Sequence, residues 1–216
     1  MTNFTHHSHF NLADNGSGSA ADQMLLVKAD RCTPSRFDQT PTGKIAPVGG
    51  TPLDSRQMMP IGSRLRGAFQ KMFYSHGYNH NFVLNQYSGD SVTFAERAYD
   101  PRSGHVINCF TTDQGLQVYT SNALNGSVVS FWARRTVTSR RSLWRVQHFL
   151  DSPNKPNFST NVHRTRSVAS ARYVHTLFSV NRFGLATALA ETRILQALEI
   201  RQKNFIIETN FRNAHQ

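Results

Sequence analysis

Short apolar runs, several of them alternating with polar positions, recur along the first 180 residues, separated by stretches rich in Gly, Pro, Ser, Asn and Asp. That spacing predicts strands rather than helices. Met24 to Ala29 is a compact apolar run holding one Lys. Val92-Thr-Phe-Ala-Glu-Arg-Ala-Tyr99 alternates in its first half, setting Val92, Phe94 and Glu96 against Thr93 and Ala95. Asp100-Pro-Arg-Ser-Gly104 then reads as a tight turn, with Pro101 at its second position and Gly104 supplying backbone freedom. Val106-Ile-Asn-Cys-Phe-Thr111 returns, so residues 92–111 form a predicted β-hairpin. Leu116 to Thr120 and Thr176 to Val180 are further strands, and loops are expected at Ala13–Ala21, Pro41–Gly50 and Ser152–Pro156. No internal repeat is present. Many strands joined by long loops predict an all-β, antiparallel β-sandwich rather than a parallel α/β sheet.

The pattern changes near the end. Leu185, Leu189, Leu195 and Leu198 recur at near-helical spacing and predict an amphipathic helix over 185–203. Arg201 and Lys203 near its end suit the helix dipole. Such a helix lays its Leu stripe on the sheet or offers it to a partner. The expected organisation is a β-sandwich domain over 1–180 and a helical C-terminal extension over 181–216.

Composition narrows the class. A chain of 216 residues with 38% hydrophobic residues and 15 Phe can bury a core, which excludes a disordered protein. No apolar run approaches the length of a membrane span, so no membrane partner is expected. Met1 to His9 is polar and His-rich without an apolar segment, which predicts no secretory signal and a cytoplasmic location. Two cysteines, Cys32 and Cys109, make no disulfide framework and read as reduced thiols.

The net charge of +11 raises nucleic acid as a partner. The excess is local: between Gln114 and Ala190 the only acidic residue is Asp151, against ten Lys and Arg. Arg134, Arg135, Arg140, Arg141 and Arg145 are its densest part, and Phe131, Trp132 and Trp144 flank them. Basic and aromatic residues interleave in single-strand binders. No recognisable nucleic-acid module surrounds them here, and solvated basic loops are commoner, so nucleic acid ranks below the other readings. His6, His7 and His9 taken alone are a solvent-facing cluster, with fortuitous metal binding as the alternative.

Four stretches in order carry a resemblance. They are Phe4-Thr-His-His-Ser-His-Phe-Asn-Leu12, Ala29-Asp-Arg-Cys-Thr-Pro34 running into Pro41-Thr-Gly-Lys-Ile-Ala-Pro-Val48, Gly77-Tyr-Asn-His-Asn-Phe-Val-Leu84, and Gln147-His-Phe-Leu-Asp-Ser-Pro-Asn154. Together, from about Phe4 to Val180, they resemble the aldose 1-epimerase (galactose mutarotase) family. The resemblance implies part of that family's large antiparallel sandwich, with a cleft for a pyranose across one sheet. It also implies that the matched stretches correspond to the second half of a longer family member. A sandwich cut in this way exposes sheet edges and apolar faces and invites a protein partner to cover them.

Members of the family interconvert the α and β anomers of hexoses such as galactose or glucose. A base takes the proton of the anomeric hydroxyl while an acid protonates the ring oxygen, without a metal or organic cofactor. By the resemblance, His7 stands at the position of the general acid, and Ser8 and His9 line the sugar. Asn79 stands where the family has a sugar-binding aspartate, His80 is retained beside it, and Gln117 aligns with a sugar-contacting glutamine. Arg145 stands at the position of the general base, a glutamate in the family. A guanidinium stays protonated, its pKa lying above about 12, and cannot take that proton. Glu96 and Asp151 are the nearest acidic residues in sequence, and nothing in it places either at the anomeric carbon. The expected activity is therefore slow or absent anomer interconversion. The alternatives are a non-catalytic carbohydrate-binding or scaffold protein, a truncated product and, last, a basic nucleic-acid binder.

Overall fold

The structure is a computed structural model and describes residues 3, 5–13, 19–65, 75–88, 91–129, 135–137, 142–160, 169–180 and 186–200. Its strands in chain order are β1 (His9–Phe10), β2 (Met24–Val27), β3 (Arg31–Thr33), β4 (Ala46–Pro47), β5 (Met59–Pro60), β6 (Asn79–Val83) and β7 (Thr93–Tyr99). There follow β8 (His105–Thr111), β9 (Gly115–Tyr119), β10 (Asn125–Val129), β11 (Arg135–Val137), β12 (Ser142–Gln147), β13 (Ala169–Val180) and β14 (Ala186–Ile200). Two six-stranded sheets result, one in the order β1-β12-β9-β6-β3-β4 and one in the order β14-β13-β8-β7-β2-β5, with β10 and β11 as a separate pair. Every pairing between these strands is antiparallel.

The predicted hairpin over 92–111 is β7 and β8. Asp100 holds its turn, its Oδ1 accepting from the backbone N–H groups of Arg102 and Ser103, each at 2.9 Å. Gly104 takes a positive φ of 75° there, a conformation that favours glycine. The expected alternation along β7 breaks, because the register shifts between Phe94 and Glu96. Ala95 and Glu96 are consequently both fully buried. The expected loop at Pro41–Gly50 contains the two-residue strand β4, and the one at Ser152–Pro156 holds a short 3-10 turn, Ser152–Asn154.

The core lies between the sheets. Cys32, Phe82, Leu116, Val118, Trp144 and Val146 come from the first sheet, and Leu25, Val27, Ala98, Ile107 and Cys109 from the second. Both cysteines are free and buried. Trp144 is fully buried and stacks on Phe10 with ring centroids 5.3 Å apart. It is a core residue and is not available to stack on a base, which corrects the basic-aromatic reading at that position. Phe131, Trp132, Arg134, Arg140 and Arg141 lie outside the described residues.

The helix expected over 185–203 is also corrected. Residues 186–200 are the strand β14, paired with β13 from Ala186↔Val180 to Ile200↔Ala169. An edge strand offers a row of unpaired backbone groups, and satisfying them outweighs a weak helix preference. Leu185, Arg201 and Lys203 lie outside the described residues. No helix among the described residues is long and apolar enough to cross a membrane.

Candidate functional site: the outer face of the first sheet

Direct partners in an antiparallel sheet point their side chains to the same face, and successive residues of a strand alternate. On the first sheet, Val146, Leu116, Phe82 and Cys32 form a row facing the core. The intervening rows therefore face away from it. One runs His9–Leu143–Tyr119–Asn79. The next runs Arg145–Gln117–Asn81–Thr33. A third holds Gln147, Gly115 and Val83. Register alone thus brings His9, Asn79, Gln117 and Arg145, from four different strands, onto one face.

Hydrogen bonds tie the rows together. Gln117 Nε2 donates to Asn79 Oδ1 at 2.8 Å, and Asn79 Nδ2 donates to Gln39 Oε1 at 3.4 Å. Asn81 Nδ2 donates to Thr33 Oγ1 at 3.1 Å. His9 Nδ1 lies 3.0 Å from Ser121 Oγ, and its ring meets Tyr119 edge-on at 6.3 Å. His7 is exposed, with its ring 5.3 Å from that of His9, and Ser8 is exposed between them. His7 thus reaches the rim of the face through His9. His80 turns the other way: it pairs with Val118 on the core side and accepts from the Asn79 backbone N–H at 3.0 Å. Its placement is that of a packing residue.

Several capacities on this face are unused. Gln117 Oε1, Asn81 Oδ1, Gln147 Nε2 and Arg145 Nε are buried and make no hydrogen bond. Gln117, Asn81 and Gln147 are each at most 3% exposed, so water does not easily satisfy them. Arg145 is half-buried, and burial pushes its guanidinium downward from its ordinary range, opposed by the phenol of Tyr119. It remains the cation of the row. The row therefore supplies amide donors and acceptors suited to hydroxyls, and one fixed positive charge, but no carboxylate. Glu96 lies buried on β7 in the second sheet, where desolvation raises its pKa well above the ordinary range. Asp151 is engaged by Lys155 at 3.1 Å.

His6 departs from the expected solvent-facing cluster. It is buried, stacks on Tyr173 at 4.5 Å and meets His175 edge-on at 4.9 Å. Burial first, then the charges of His175, His7 and Arg145, push its pKa down to about 3. Among the described residues no group of three His, Cys, Asp or Glu is placed to hold a metal ion. Asn81, Tyr119 and Gln147 were missed from the sequence. Stepping two residues along each strand from Asn79, Gln117 and Arg145 finds all three.

Comparison with known proteins agrees with this architecture. The family model for aldose 1-epimerase matches residues 1–170. Galactose mutarotase of Sus scrofa is 37% identical over 156 residues, covering 72% of this chain and 44% of that protein. The Rattus norvegicus galactose mutarotase is 33% identical over 156 residues, with the same coverage. Aldose 1-epimerase of Escherichia coli (strain K12) is 29% identical over 157 residues, again covering 72% and 44%. The chain thus spans less than half the length of these curated relatives. Among solved structures, a GalM/aldose epimerase homologue from C. elegans superposes with a TM-score of 0.69 at 19% identity, covering 83% of this chain and 52% of that one. Galactose 1-epimerase from Lactobacillus acidophilus gives 0.56 at 23% identity, over 67% and 40%.

Proposed function

The chain belongs to the aldose 1-epimerase family, and from that premise we propose that it holds a hexose such as galactose or glucose on the outer face of its first sheet and interconverts its anomers slowly. The observation that carries this reading is one row and its neighbour: Arg145, Gln117 and Asn79 share a face, with buried polar atoms of Arg145 and Gln117 unsatisfied. Asn79, Gln117, Ser8 and His9 hold sugar hydroxyls in this reading, and His7 donates the proton to the ring oxygen. Asn79 offers an acceptor oxygen without the charge assistance that roughly doubles hydrogen-bond strength. Arg145 occupies the base position and accepts no proton. Loss of a positioned base costs about 10²- to 10⁴-fold in rate.

Polarimetry on freshly dissolved α-D-galactose tests the proposal. The chain should accelerate mutarotation at least about 10²-fold less than a complete family enzyme. Arg145→Glu combined with Asn79→Asp should raise that rate at least about tenfold, because it returns a proton acceptor to a row whose other members are in place. Wild-type acceleration near that of a complete enzyme would overturn the assignment of Arg145. No gain in the double variant would overturn the claim that the rest of the site is assembled.

A further inference from the structure

Arg145 stands apart from other arginines of the described chain. Arg56 pairs with Asp54 at 2.8 Å and Asp30 at 3.5 Å, and Arg102 with Asp22 at 3.8 Å. Arg97 donates from Nε to Asn108 Oδ1 at 2.7 Å, and Arg64 to the Thr51 carbonyl at 2.9 Å. Arg145 is half-buried, yet no carboxylate among the described residues lies within ion-pair distance, and its buried Nε has no acceptor. A partly desolvated charge without a counter-ion is costly, and an incoming anion removes that cost.

Its neighbours say what else the ligand must carry. Gln117 and Asn81 continue the row on the same face, and Gln147 stands two residues along β12. Each presents one buried, unpaired amide atom: Oε1 of Gln117, Oδ1 of Asn81 and Nε2 of Gln147. Neutral acceptors and donors of this kind match hydroxyl groups. A bare anion uses the guanidinium and leaves the amides unsatisfied. A neutral sugar can satisfy the amides and the Arg145 Nε–H through its hydroxyls, but it leaves the guanidinium charge without a counter-ion.

We propose that this face takes an anionic sugar, an aldose carrying a carboxylate or a phosphate group, with Arg145 as the anion-binding residue. The proposal rests on the sugar-binding reading above and names the ligand class of that face: the anionic group takes the place at Arg145 that the anomeric hydroxyl takes in the mutarotation pose, so an anionic sugar is held there without being turned over. A guanidinium fork matches both groups in two-point geometry, which an amide or ammonium does not reproduce. In the sequence from Gln114 to Ala190 one acidic residue stands against ten basic ones, a net charge that favours anionic ligands.

Isothermal titration of the full chain with D-galactose, D-galacturonate, D-galactose 6-phosphate and inorganic phosphate tests it, at low and moderate salt. One or both anionic sugars should bind at least about tenfold more tightly than galactose and than inorganic phosphate. Whichever arm binds identifies carboxylate or phosphate as the group. In Arg145→Gln the preference over galactose should fall to within about twofold, and in Arg145→Lys, which keeps the charge without the fork, it should be intermediate. Galactose binding equal to that of both anionic sugars would overturn the proposal and leave the sugar site standing. Inorganic phosphate binding as tightly as galactose 6-phosphate would overturn it in favour of a simple anion site. Binding of none of the sugars would overturn both this proposal and the reading beneath it.

Discussion

Replacing His175 with Phe should flatten the loss of stability on acidification. His175 is 3% exposed, its Nε2 is unpaired, and burial lowers its pKa from 6.5 to about 4. The folded state therefore excludes a proton that the unfolded chain accepts. A depressed folded-state value means that the stabilisation is fully present above pH 6.5 and is lost as pH falls through the folded-state value. At pH 5 the unfolded imidazole is almost fully protonated while the folded one is mostly neutral, which costs about 2 kcal/mol relative to pH 7. Phe keeps a ring at a position already packed against Phe10 at 5.4 Å and Tyr173 at 5.6 Å, and it carries no proton. Its effect at pH 7 is not the quantity of interest; the difference between two pH values is.

Other groups titrate in the same window. Asp113, raised to about 6 by burial, and Glu96, raised well above its ordinary range, act in the opposite direction, because the folded state holds their protons more tightly. Both are present in the wild type and the variant, so they cancel in the comparison. His6 shares the sign of His175, and one cause of its shift is His175 itself, so its removal widens the expected difference slightly. Guanidinium titrations at pH 7 and pH 5 measure it. Wild type should lose about 2 kcal/mol more than His175→Phe between the two. Equal losses would refute the claim that a buried neutral imidazole sits between the sheets.

Two packing predictions follow from the first sheet. In Gly115→Ala the new Cβ would lie 2.8 Å from both Asn81 Oδ1 and the Gln147 backbone oxygen and 3.1 Å from Phe149 Cδ1, and a backbone oxygen yields little. Chemical denaturation should show about 1–3 kcal/mol of destabilisation, and an unchanged midpoint would contradict the close approach of β6 and β12 across that glycine. Trp144→Ala empties a fully buried site and removes the stacked partner of Phe10, so the same measurement should show about 3–5 kcal/mol lost. A loss below about 1 kcal/mol would mean that the indole is not a core residue.

Local patterning carried much of the fold. The hairpin of β7 and β8 was legible because Asp100, Pro101 and Gly104 mark its turn and apolar positions lie on both sides. The bulge between Phe94 and Glu96 was not, since an extra residue in one strand depends on its partner's register. The leucine spacing over 186–200 signals a helix because it is local, whereas the pairing of this strand with β13 is tertiary. Within the site, His7, Ser8, His9, Asn79, Gln117 and Arg145 came from ordered motifs, while Asn81, Tyr119 and Gln147 needed strand boundaries to be placed. His6 was missed for a different reason. Adjacent residues in an extended segment point apart, so burial of His6 against Tyr173 and exposure of His7 are one fact, invisible in a cluster of three histidines.

The same period of two explains how chemistry and fold separate in this sheet. Trp144 and Val146 face the core from β12, and Arg145 between them faces outward; Leu116 and Val118 bracket Gln117 in the same way on β9. Core volume is set by one parity of residues, and the proposed ligand contacts belong to the other. A change at position 145 therefore alters what the face can hold or deprotonate without opening a cavity beneath it. A guanidinium there removes proton abstraction from the row, yet the amides of Gln117 and Asn81 keep their positions because Phe82, Leu116 and Val118 hold their strands from behind. In the proposed reading, binding and turnover are thus separable on this face. Titration of anionic and neutral sugars reads the first, polarimetry reads the second, and Arg145→Glu is expected to move them in opposite directions.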